Sequence, residues 1–218
     1  MSAPANTLVI NEIFYSIQGE STRAGKPCVF IRLTGCDLRC SWCDTTYAFD
    51  EGTVMSFEEI LTKVKSFQCS LVEVTGGEPL AQENVFPLLK LLCDHKFDVM
   101  IETGGHRDIS RIDPRVKRIV DIKCPGSKME KRNRWENISS LTSNDEIKFV
   151  LADRADYEWA KQIINDYELA DRCTILFSPV FGSLNNRELA EWMLRDHVQA
   201  TYQLQMHKYI WDPTTRGV

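Results

Sequence analysis

Three cysteines stand within eight residues near the start of the chain, at Cys36, Cys40 and Cys43 in the stretch TGCDLRCSWCDTTY. Their spacing, C-x3-C-x2-C, lets three thiolates reach three corners of one cubic iron–sulfur (4Fe-4S) cluster, for which cysteine is the usual ligand. Three protein ligands leave one iron without a protein donor. Because an open coordination position is typical of a metal that takes part in a reaction, the spacing predicts a catalytic cluster.

Two other interpretations of these thiols stay open. A structural zinc site would need a fourth ligand, such as Cys28 or Cys124, but zinc sites usually pair two short C-x2-C or C-x2-H units and the sequence has one. Three unrelated buried cysteines are the second alternative. That description suits Cys69, Cys93 and Cys173 better, because they lie inside predicted elements.

The rest of the chain alternates between short runs rich in β-branched residues and longer helical patterns. Strands that alternate with helices imply parallel pairing through right-handed crossovers. Seven predicted strands are fewer than the eight of a complete TIM barrel, so we expect an α/β fold with an open, partial, TIM-like βα barrel. The predicted strands are 28–35, 71–77, 97–105, 116–123, 145–152, 173–180 and 201–209. The predicted helices are 56–67, with Ser56 as N-cap and Glu59 completing a capping box, and 84–95, 155–167 and 185–197.

Polar and glycine-rich residues follow the predicted strands in TGCDLRC, TGGEP, ETGGH, DIKCPGS, SPVFG and QMHKY. In a parallel sheet these strand ends all lie at one rim, where ligands bind, so we expect the site there. The segment 127–145 is expected to be a mobile excursion between strands. Its basic run, KMEKRNR, is interpreted as a solvated face rather than a phosphate-binding patch.

Composition limits the possible classes of protein. With 218 residues and 43% hydrophobic content, the chain can bury one substantial core, and we expect one domain over residues 1–218. A net charge of −5 argues against wrapping a nucleic-acid backbone with the whole surface. The N-terminal MSAPANTLVINE lacks the regions of a signal peptide, and no stretch approaches the roughly 20 apolar residues of a membrane span. We expect a cytoplasmic protein with reduced thiols, in which clustered cysteines indicate metal or redox chemistry.

The cysteine spacing, with Trp42 just before the last cysteine and TGGEP one βα unit later, resembles the radical S-adenosylmethionine (SAM) superfamily. The resemblance implies that the methionine part of SAM binds the open iron through its amino and carboxylate groups. Gly76 and Gly77 at a strand end permit close backbone approach, and Pro79 fixes the turn beyond them. Backbone groups there are candidates for holding the SAM ammonium.

The segments EIFYSIQGE, FIRLTGCDLRCSWCDTTY, VTGGEP, IETGG and QMHKYIWDP together resemble the 7-carboxy-7-deazaguanine synthase family, from Glu12 to Val218. The resemblance implies a carbon–nitrogen lyase of queuosine and deazapurine biosynthesis. Its implied reaction converts 6-carboxy-5,6,7,8-tetrahydropterin to 7-carboxy-7-deazaguanine with loss of ammonia, through a 5′-deoxyadenosyl radical that abstracts hydrogen from substrate C6. It further implies Mg²⁺, a flavodoxin or ferredoxin-type electron donor and a homodimer.

The resemblance also assigns roles to individual residues. Thr45 matches a hydroxyl ligand of Mg²⁺, with an ordinary loop threonine as the alternative. Of the DIK strand end, only Lys123 matches directly, because some relatives carry Ser-Pro-Lys there. The implied SAM contacts are Trp42, Cys43, Asp44, Gly76, Gly77, Glu78, Asp121, Ile122, Lys123, Ser178, Pro179, Val180 and Phe181. The implied substrate contacts are Ile17, Gln18, Gly19, Glu20, Arg32, Thr75, Glu102 and His207.

Several of these assignments have alternatives. Arg32 is expected to pair with the substrate carboxylate unless it is a surface arginine, and His207 could be a merely packed histidine. Some relatives end at the proline matching Pro213, whereas TTRGV follows here, so no terminal-carboxylate role is transferred. The segment 207–218, with Arg216, is expected to close the substrate pocket or join a dimer contact. For the whole chain, a glycyl-radical activase and a non-catalytic zinc-binding module are the competing functions.

Overall fold

The computed structural model describes residues 6–218, so the expectation for the N-terminal segment falls partly on residues 1–5, outside the described residues. One sheet of nine strands runs through the molecule. The strands are β1 (Thr7–Ile17), β2 (Pro27–Leu33), β3 (Thr53–Ser56), β4 (Leu71–Gly76), β5 (Asp98–Thr103), β6 (Lys117–Asp121), β7 (Glu146–Leu151), β8 (Thr174–Pro179) and β9 (Thr201–Tyr202). Their order is β3-β1-β2-β4-β5-β6-β7-β8-β9, so the sheet is open, as the sequence predicts.

The seven predicted strands correspond to β2 and to β4 through β9. Together they form the parallel part of this sheet. Strands β1 and β3, which were not predicted from the sequence, pair antiparallel at the other edge. Leu8 and Ile10 of β1 are buried, but the rest of that strand is half-buried or exposed. Its alternating pattern is therefore weak, which explains the miss.

Four helices lie where the sequence predicts them, and a fifth does not. The helices are α1 (Phe57–Ser66), α2 (Val85–Asp94), α3 (Arg154–Asp166), α4 (Asn186–Asp196) and α5 (His207–Ile210). The capping box of α1 is confirmed: the Ser56 hydroxyl accepts from the Glu59 amide at 3.3 Å, and the Glu59 carboxylate accepts from the Ser56 amide at 2.7 Å. No helix in residues 6–218 has the length and apolar character to cross a membrane.

The predicted strand 201–209 is wrong beyond Tyr202. The Gln203 amide still donates to the Phe177 carbonyl at 2.9 Å, but the Met206 amide then donates to the Gly19 carbonyl at 2.9 Å. This second bond draws the chain away from the sheet edge and toward the loop after β1. The residues that follow form the short helix α5.

The segment 127–145 is packed rather than a loose excursion. It contains the 3-10 helices Glu130–Arg132 and Trp135–Ser140, and the Trp135 ring stacks on Tyr167 with centroids 4.8 Å apart. Asn137 is buried and donates to the carbonyls of Gly105 and Arg107 at 3.0 and 2.8 Å. These contacts fix the segment to the end of α3 and to the loop after β5.

The two faces of the sheet carry different side chains, because successive residues of a strand point to opposite faces. One face packs its Val, Ile and Leu side chains against the helices in two clusters, one around α1 and α2 and one around α3 and α4. On the other face, Phe30, Met100 and Ile119 form a small apolar layer. The charged residues Glu102 and Lys148 belong to β5 and β7, the two strands on either side of β6.

Candidate active site

A cavity of about 520 Å³ opens at the carboxyl ends of the parallel strands, at the rim that the sequence predicts. It is lined by every predicted cluster, Mg²⁺ and substrate residue, namely Cys36, Cys40, Cys43, Thr45, Ile17, Gln18, Gly19, Glu20, Arg32, Thr75, Glu102 and His207. The cavity is also lined by most of the remaining predicted SAM contacts, namely Trp42, Asp44, Gly76, Gly77, Glu78, Asp121, Lys123, Val180 and Phe181. Ile122, Ser178 and Pro179 are buried outside the lining, since Ile122 packs with the core around α3 and α4.

The loop of residues 36–43 presents all three predicted cluster ligands, as free and partly exposed thiols. Burial raises the pKa of the Cys36 and Cys40 thiols, and for Cys40 the nearby Lys123 ammonium acts in the opposite direction. Within residues 6–218, no three His, Cys, Asp or Glu side chains converge on one metal-ion position. The chemistry of the site fits an iron–sulfur cluster, because three free thiols surround one cavity beside the Lys123 ammonium. Neither Cys28 nor Cys124 lines that cavity.

The GGEP turn packs directly against the cysteine loop. A Cβ atom on Gly76, whose φ is +153°, would lie 2.4 Å from the Leu33 carbonyl oxygen. On Gly77 it would lie 2.3 Å from the Gly35 carbonyl oxygen and 2.9 Å from the Cys36 Cβ. Both positions therefore require glycine for this close approach. The two glycines bring the end of β4 against the loop that carries the thiols.

Glu78 of the same turn is fully buried, and its carboxylate is hydrogen-bonded to other groups of the protein. It accepts from the Leu80 amide at 2.9 Å, the Thr103 hydroxyl at 2.8 Å and the Gly104 amide at 2.8 Å. These bonds join the end of β4 to the end of β5. Glu78 thus has a structural use that the sequence did not reveal, although it was predicted as a SAM contact.

A buried lysine that sequence reasoning missed, Lys148, lies on β7 in the cavity wall. Its Nζ lies 3.0 Å from Glu20 Oε2, bonds the Glu102 carboxylate and lies 4.0 Å from Asp121 Oδ2. Burial acts to lower the pKa of Lys148, but these carboxylates outweigh burial and raise it. Its signal in the sequence was a charge inside the apolar strand EIKFVL.

Glu73 is a second missed residue, buried on β4 within LVEVTG. Burial, together with the charges of Glu102 and Glu20, raises the pKa of Glu73 well above its ordinary value. The carboxyl group of Glu73 accepts a hydrogen bond from the Gln18 side-chain amide. A raised pKa favours the protonated form of a carboxyl group, and in that form the group can also donate to a ligand.

The loop after β1 brings the predicted substrate residues together with the C-terminal segment. Glu20 accepts from the Gln203 and Gln205 side chains at 3.0 Å each. Burial acts to raise the pKa of Glu20, but Lys148 and Gln205 outweigh burial and lower it, so Glu20 is ionised. A Cβ on Gly19 would lie only 2.3 Å from His207 Nδ1, so the histidine packs directly on this glycine.

Two buried oxygen atoms near the cavity have no hydrogen-bond partner within residues 6–218, Asp121 Oδ1 and Ser178 Oγ. The other oxygen of Asp121 accepts from Lys123 Nζ at 2.7 Å. Because buried polar atoms are rarely left unpaired, an unpaired carboxylate oxygen in the cavity wall fits a ligand that donates a hydrogen bond. A ribose hydroxyl of SAM is such a donor.

Arg32 is only 15% exposed and is not a surface arginine. Its Nε donates to Glu12 Oε1 at 2.8 Å, and the Tyr47 hydroxyl donates to the same oxygen at 3.1 Å. In the described part of the chain its terminal guanidinium nitrogens have no hydrogen bond, and the side chain lines the cavity. They are therefore placed to bind an anionic ligand.

The C-terminal segment lies over one side of the cavity. Lys208 Nζ pairs with Asp44 Oδ2 at 2.7 Å, which ties α5 to the cysteine loop. Farther along, the Arg216 guanidinium lies 3.7 Å from the centre of the Tyr47 ring and pairs with Glu51 at 2.9 Å. Pro213 and Val218 line the cavity.

Comparison with known proteins gives one consistent result. A family model described as the Radical SAM superfamily matches residues 30–194. The chain is 51% identical to the 7-carboxy-7-deazaguanine synthase of Chlorobaculum tepidum, with 99% of this chain and 98% of the relative covered. It is 42% identical to the 7-carboxy-7-deazaguanine synthase of Koribacter versatilis, with 96% and 99% covered. The crystal structure of QueE from Escherichia coli matches with a TM-score of 0.75 at 25% identity, over 92% of this chain and 95% of that chain.

These similarities support neither the glycyl-radical activase nor the zinc-binding module among the competing functions. Radical SAM proteins use a 4Fe-4S cluster and SAM, in agreement with the predicted cofactors. The chain is an enzyme of the 7-carboxy-7-deazaguanine synthase family, within the radical SAM superfamily.

Proposed function

We propose that the enzyme converts 6-carboxy-5,6,7,8-tetrahydropterin to 7-carboxy-7-deazaguanine with loss of ammonia, within one radical SAM domain. The observation that carries the proposal is that a single cavity combines three thiols with a wall of paired charges around Lys148. Thiols provide a site for the cofactor, whereas paired charges and amides suit a polar, carboxylated ring system. Family membership supports the same substrate class.

Cys36, Cys40 and Cys43 would hold the 4Fe-4S cluster, and the GGEP turn, Asp121 and Lys123 would line the SAM site. When bound, the cluster and SAM supply the radical that removes hydrogen from substrate C6. The contribution of the protein is to hold the reacting groups in register and to exclude water. The segment 207–218 serves the second task, since Lys208 and Arg216 tie it down at two separate points.

The substrate carboxylate would bind the free guanidinium nitrogens of Arg32, in the paired geometry that guanidinium and carboxylate favour. The pyrimidinone edge of the pterin needs both donors and acceptors. Gln18, whose side-chain amide both donates and accepts, and the ionised Glu20 supply both kinds of group, and the raised pKa of Glu73 favours a form that can also donate. Burial lowers the pKa of His207, so this side chain is neutral at pH 7 and serves as a hydrogen-bonding group.

Thr45 would bind Mg²⁺ through its hydroxyl, with substrate and water oxygens completing the coordination. This threonine precedes the 3-10 helix Thr46–Phe49 but makes no side-chain capping bond to it. Its hydroxyl lies 3.8 Å from Cys43 Sγ and faces the cavity. A hydroxyl that is not used as a cap remains available to a cation.

We further propose a homodimer that works in the cytoplasm and takes electrons from a flavodoxin or ferredoxin-type carrier. All eight cysteines are free thiols, as a reducing compartment requires. The exposed side chains of Tyr209 and Ile210 on α5 provide apolar surface suited to a second protomer.

The test is anaerobic incubation of the iron- and sulfide-reconstituted protein with SAM, dithionite, Mg²⁺ and 6-carboxy-5,6,7,8-tetrahydropterin. We expect 7-carboxy-7-deazaguanine by mass spectrometry and a brown protein with broad absorbance near about 400 nm. A colourless protein that contains one zinc, or a brown protein that cleaves SAM without forming this product, would contradict the proposal.

A further inference from the structure

The chain reverses direction after α5, and the residue types in WDPTTRGV explain the turn. The Thr215 amide donates to the Asp212 carbonyl at 2.9 Å, and the Asp212 carboxylate accepts from the Thr214 amide at 2.9 Å. Aspartate at the first position and proline at the second, here Pro213, favour a tight turn of this kind. The turn returns residues 216–218 to β1 and to the residues beside it.

Arg216 covers the ring of Tyr47. Its guanidinium carbon lies 3.7 Å from the ring centre, and Nη1 pairs with Glu51 Oε2 at 2.9 Å. A Cβ atom on the neighbouring Gly217 would lie 3.9 Å from Glu12 Oε2. The Arg216 side chain is 51% exposed, but an aromatic ring and a carboxylate together fix its cationic group. The segment therefore packs on the residues that surround Arg32.

Tyr47 and Glu12 connect Arg216 to Arg32. The Tyr47 hydroxyl and Arg32 Nε donate to the same oxygen of Glu12, Oε1, at 3.1 and 2.8 Å. The Arg32 guanidinium carbon also lies 5.9 Å from the centre of the Tyr47 ring. Among the described residues, Arg32 lines the cavity, whereas Tyr47 and Glu12 lie outside its lining. The contacts of Arg216 therefore bear on the cavity through the groups that orient Arg32.

We propose that Arg216 is a positioning residue that sets the orientation of the Arg32 guanidinium, and with it the selectivity for a carboxylated pterin. This role rests on the proposed function, because it requires the substrate carboxylate to bind Arg32. A paired guanidinium and carboxylate depend on the angle between two planar groups, so a small rotation of Arg32 weakens the pair. Arg216 restrains the Tyr47 ring, whose hydroxyl restrains Glu12, and Glu12 fixes Arg32 Nε.

This series of contacts predicts which constants change when Arg216 is removed. Arg32 binds the carboxylate before and during the reaction, so its misorientation should act on KM more than on kcat. A pterin with a 6-hydroxymethyl group in place of the carboxylate cannot form the pair, so its Kd should not depend on Arg216. A merely structural role would instead change the binding of both pterins alike.

The test compares Arg216→Leu with Arg111→Leu in the reconstituted enzyme. Arg111 is a matched control, because its guanidinium lies 4.2 Å from the centre of the Phe86 ring and pairs with Glu83 at 2.9 Å. Arg111 lies outside the cavity lining. The Kd values of 6-carboxy-5,6,7,8-tetrahydropterin and its 6-hydroxymethyl analogue are measured by anaerobic calorimetry with SAM and without reductant. Dithionite-driven product formation gives KM and kcat, and thermal unfolding gives the melting temperature.

We expect Arg216→Leu to raise the Kd and the KM of the carboxylated pterin about fivefold. Its kcat and its Kd for the hydroxymethyl analogue should stay within about twofold of the parent. Arg111→Leu should leave all four constants unchanged, and the two variants should have similar melting temperatures. Arg216→Lys keeps the charge but loses the planar stacking group, so it should restore only part of the affinity.

Tyr47→Phe tests whether Arg216 acts through the tyrosine. It keeps the ring on which Arg216 lies but removes the hydroxyl that donates to Glu12. In the Tyr47→Phe background, Arg216→Leu should therefore raise the Kd of the carboxylated pterin by a smaller factor than in the parent.

An unchanged Kd for the carboxylated pterin in Arg216→Leu, or an equal loss for both pterins, would overturn the positioning role. So would full restoration by Arg216→Lys, or an equal effect with and without the Tyr47 hydroxyl, because charge alone would then account for the result. Failure of the unsubstituted enzyme to form the deazaguanine product would instead contradict the proposed function. The Kd values separate these outcomes, since calorimetry does not depend on turnover.

Discussion

The cysteine loop and the charged wall around Lys148 lie in the same cavity but are assembled differently. The loop takes its three thiols from eight consecutive residues, and the GGEP turn supports it from the next strand. The charged wall takes Glu20, Glu102 and Lys148 from three separate parts of the chain, and Glu20 and Lys148 are 128 positions apart. One region is local in sequence, whereas the other exists only in the folded sheet.

This difference also changes what holds each region in place. The cysteine loop is positioned by backbone bonds and by two glycines that permit close packing. The charged wall is positioned by ion pairs among buried side chains, and removing one partner leaves the others unpaired. Substitutions in the loop should therefore remove cofactor chemistry and spare the fold, whereas substitutions in the wall should affect binding, stability and pH dependence together.

The largest effect is expected from Cys40→Ala. Removing one of the three proposed cluster ligands should abolish SAM cleavage, because apart from these three no free thiol lines the cavity in the described residues. The loop lies outside the packed core, so the melting temperature of the unreconstituted protein should stay within a few degrees of the parent. Iron content, SAM cleavage and thermal unfolding are the measurements, with Cys93→Ala on α2 as the matched control. Full turnover by Cys40→Ala would break the distinction between the two regions.

The same distinction explains how much of the molecule could be predicted from the sequence. The cysteine spacing and the glycines after β4 were recognisable because a short motif carries its chemistry within one loop. The parallel strands were recognisable because each is a short apolar run. Lys148 and Glu73 were missed because each is a single charged residue within such a run, and its partners are identified only by the pairing of distant strands.

The C-terminal segment was mispredicted for a related reason. The alternation of TYQLQ favours a strand, but bonds from Gln203 and Gln205 to the distant Glu20 draw the segment across the cavity. Long-range contacts outweigh local propensity there. The basic run at 128–134 was likewise interpreted from its charge alone, although the Arg39 amide of the cysteine loop lies 3.4 Å from the Met129 sulfur.

Lys148→Met should give the next largest effect. It leaves the carboxylates of Glu20 and Glu102 buried without their cation, so kcat/KM for the pterin should fall about 1000-fold. In the parent, the pKa of Glu20 lies below its ordinary value, so its stabilisation is present at neutral pH and lost on acidification. Without Lys148, burial should raise that pKa instead. The variant should therefore gain stability as the pH falls from 7 to 5, as measured by urea unfolding.

The matched control for Lys148 is an exposed lysine outside the cavity, Lys63→Met on α1. It should leave both kcat/KM and the pH dependence of stability unchanged. If Lys148→Met and Lys63→Met behaved alike, the charged wall would have no part in binding. If the unfolding free energy of Lys148→Met decreased as the pH was lowered from 7 to 5, the ionisation assigned to Glu20 would be contradicted.

A buried ion pair outside the cavity allows the effect of charge burial on stability to be measured apart from the chemistry of the site. Asp145 accepts from Arg118 Nε at 2.9 Å and from the Thr142 amide at 2.7 Å. Asp145→Asn should cost about 3 kcal/mol of unfolding free energy, because it leaves a buried guanidinium unpaired. Burial acts to raise the pKa of Asp145, but its bonds lower it. The stabilisation is therefore present above about pH 4 and lost below it.

Urea unfolding of the parent and Asp145→Asn at several pH values tests this sign. The difference between the two proteins should shrink as the pH falls below about 4. Dithionite-driven product formation by the folded variant should equal that of the parent. A loss of turnover as large as that of Lys148→Met would mean that the two charged groups belong to one functional unit.

Thr45→Ala should give the smallest effect and tests the point where the two regions meet. Thr45 follows Cys43, the last proposed cluster ligand, by two residues, and it lines the cavity that the charged wall completes. Losing one oxygen ligand should raise the Mg²⁺ concentration for half-maximal turnover about tenfold, while SAM cleavage without substrate stays unchanged. Thr46→Ala, at the next and exposed position, is the control and should leave the Mg²⁺ dependence unaltered. Equal Mg²⁺ dependence in Thr45→Ala and Thr46→Ala would remove Thr45 from the site, because a hydroxyl that binds the cation cannot be lost without weakening that binding.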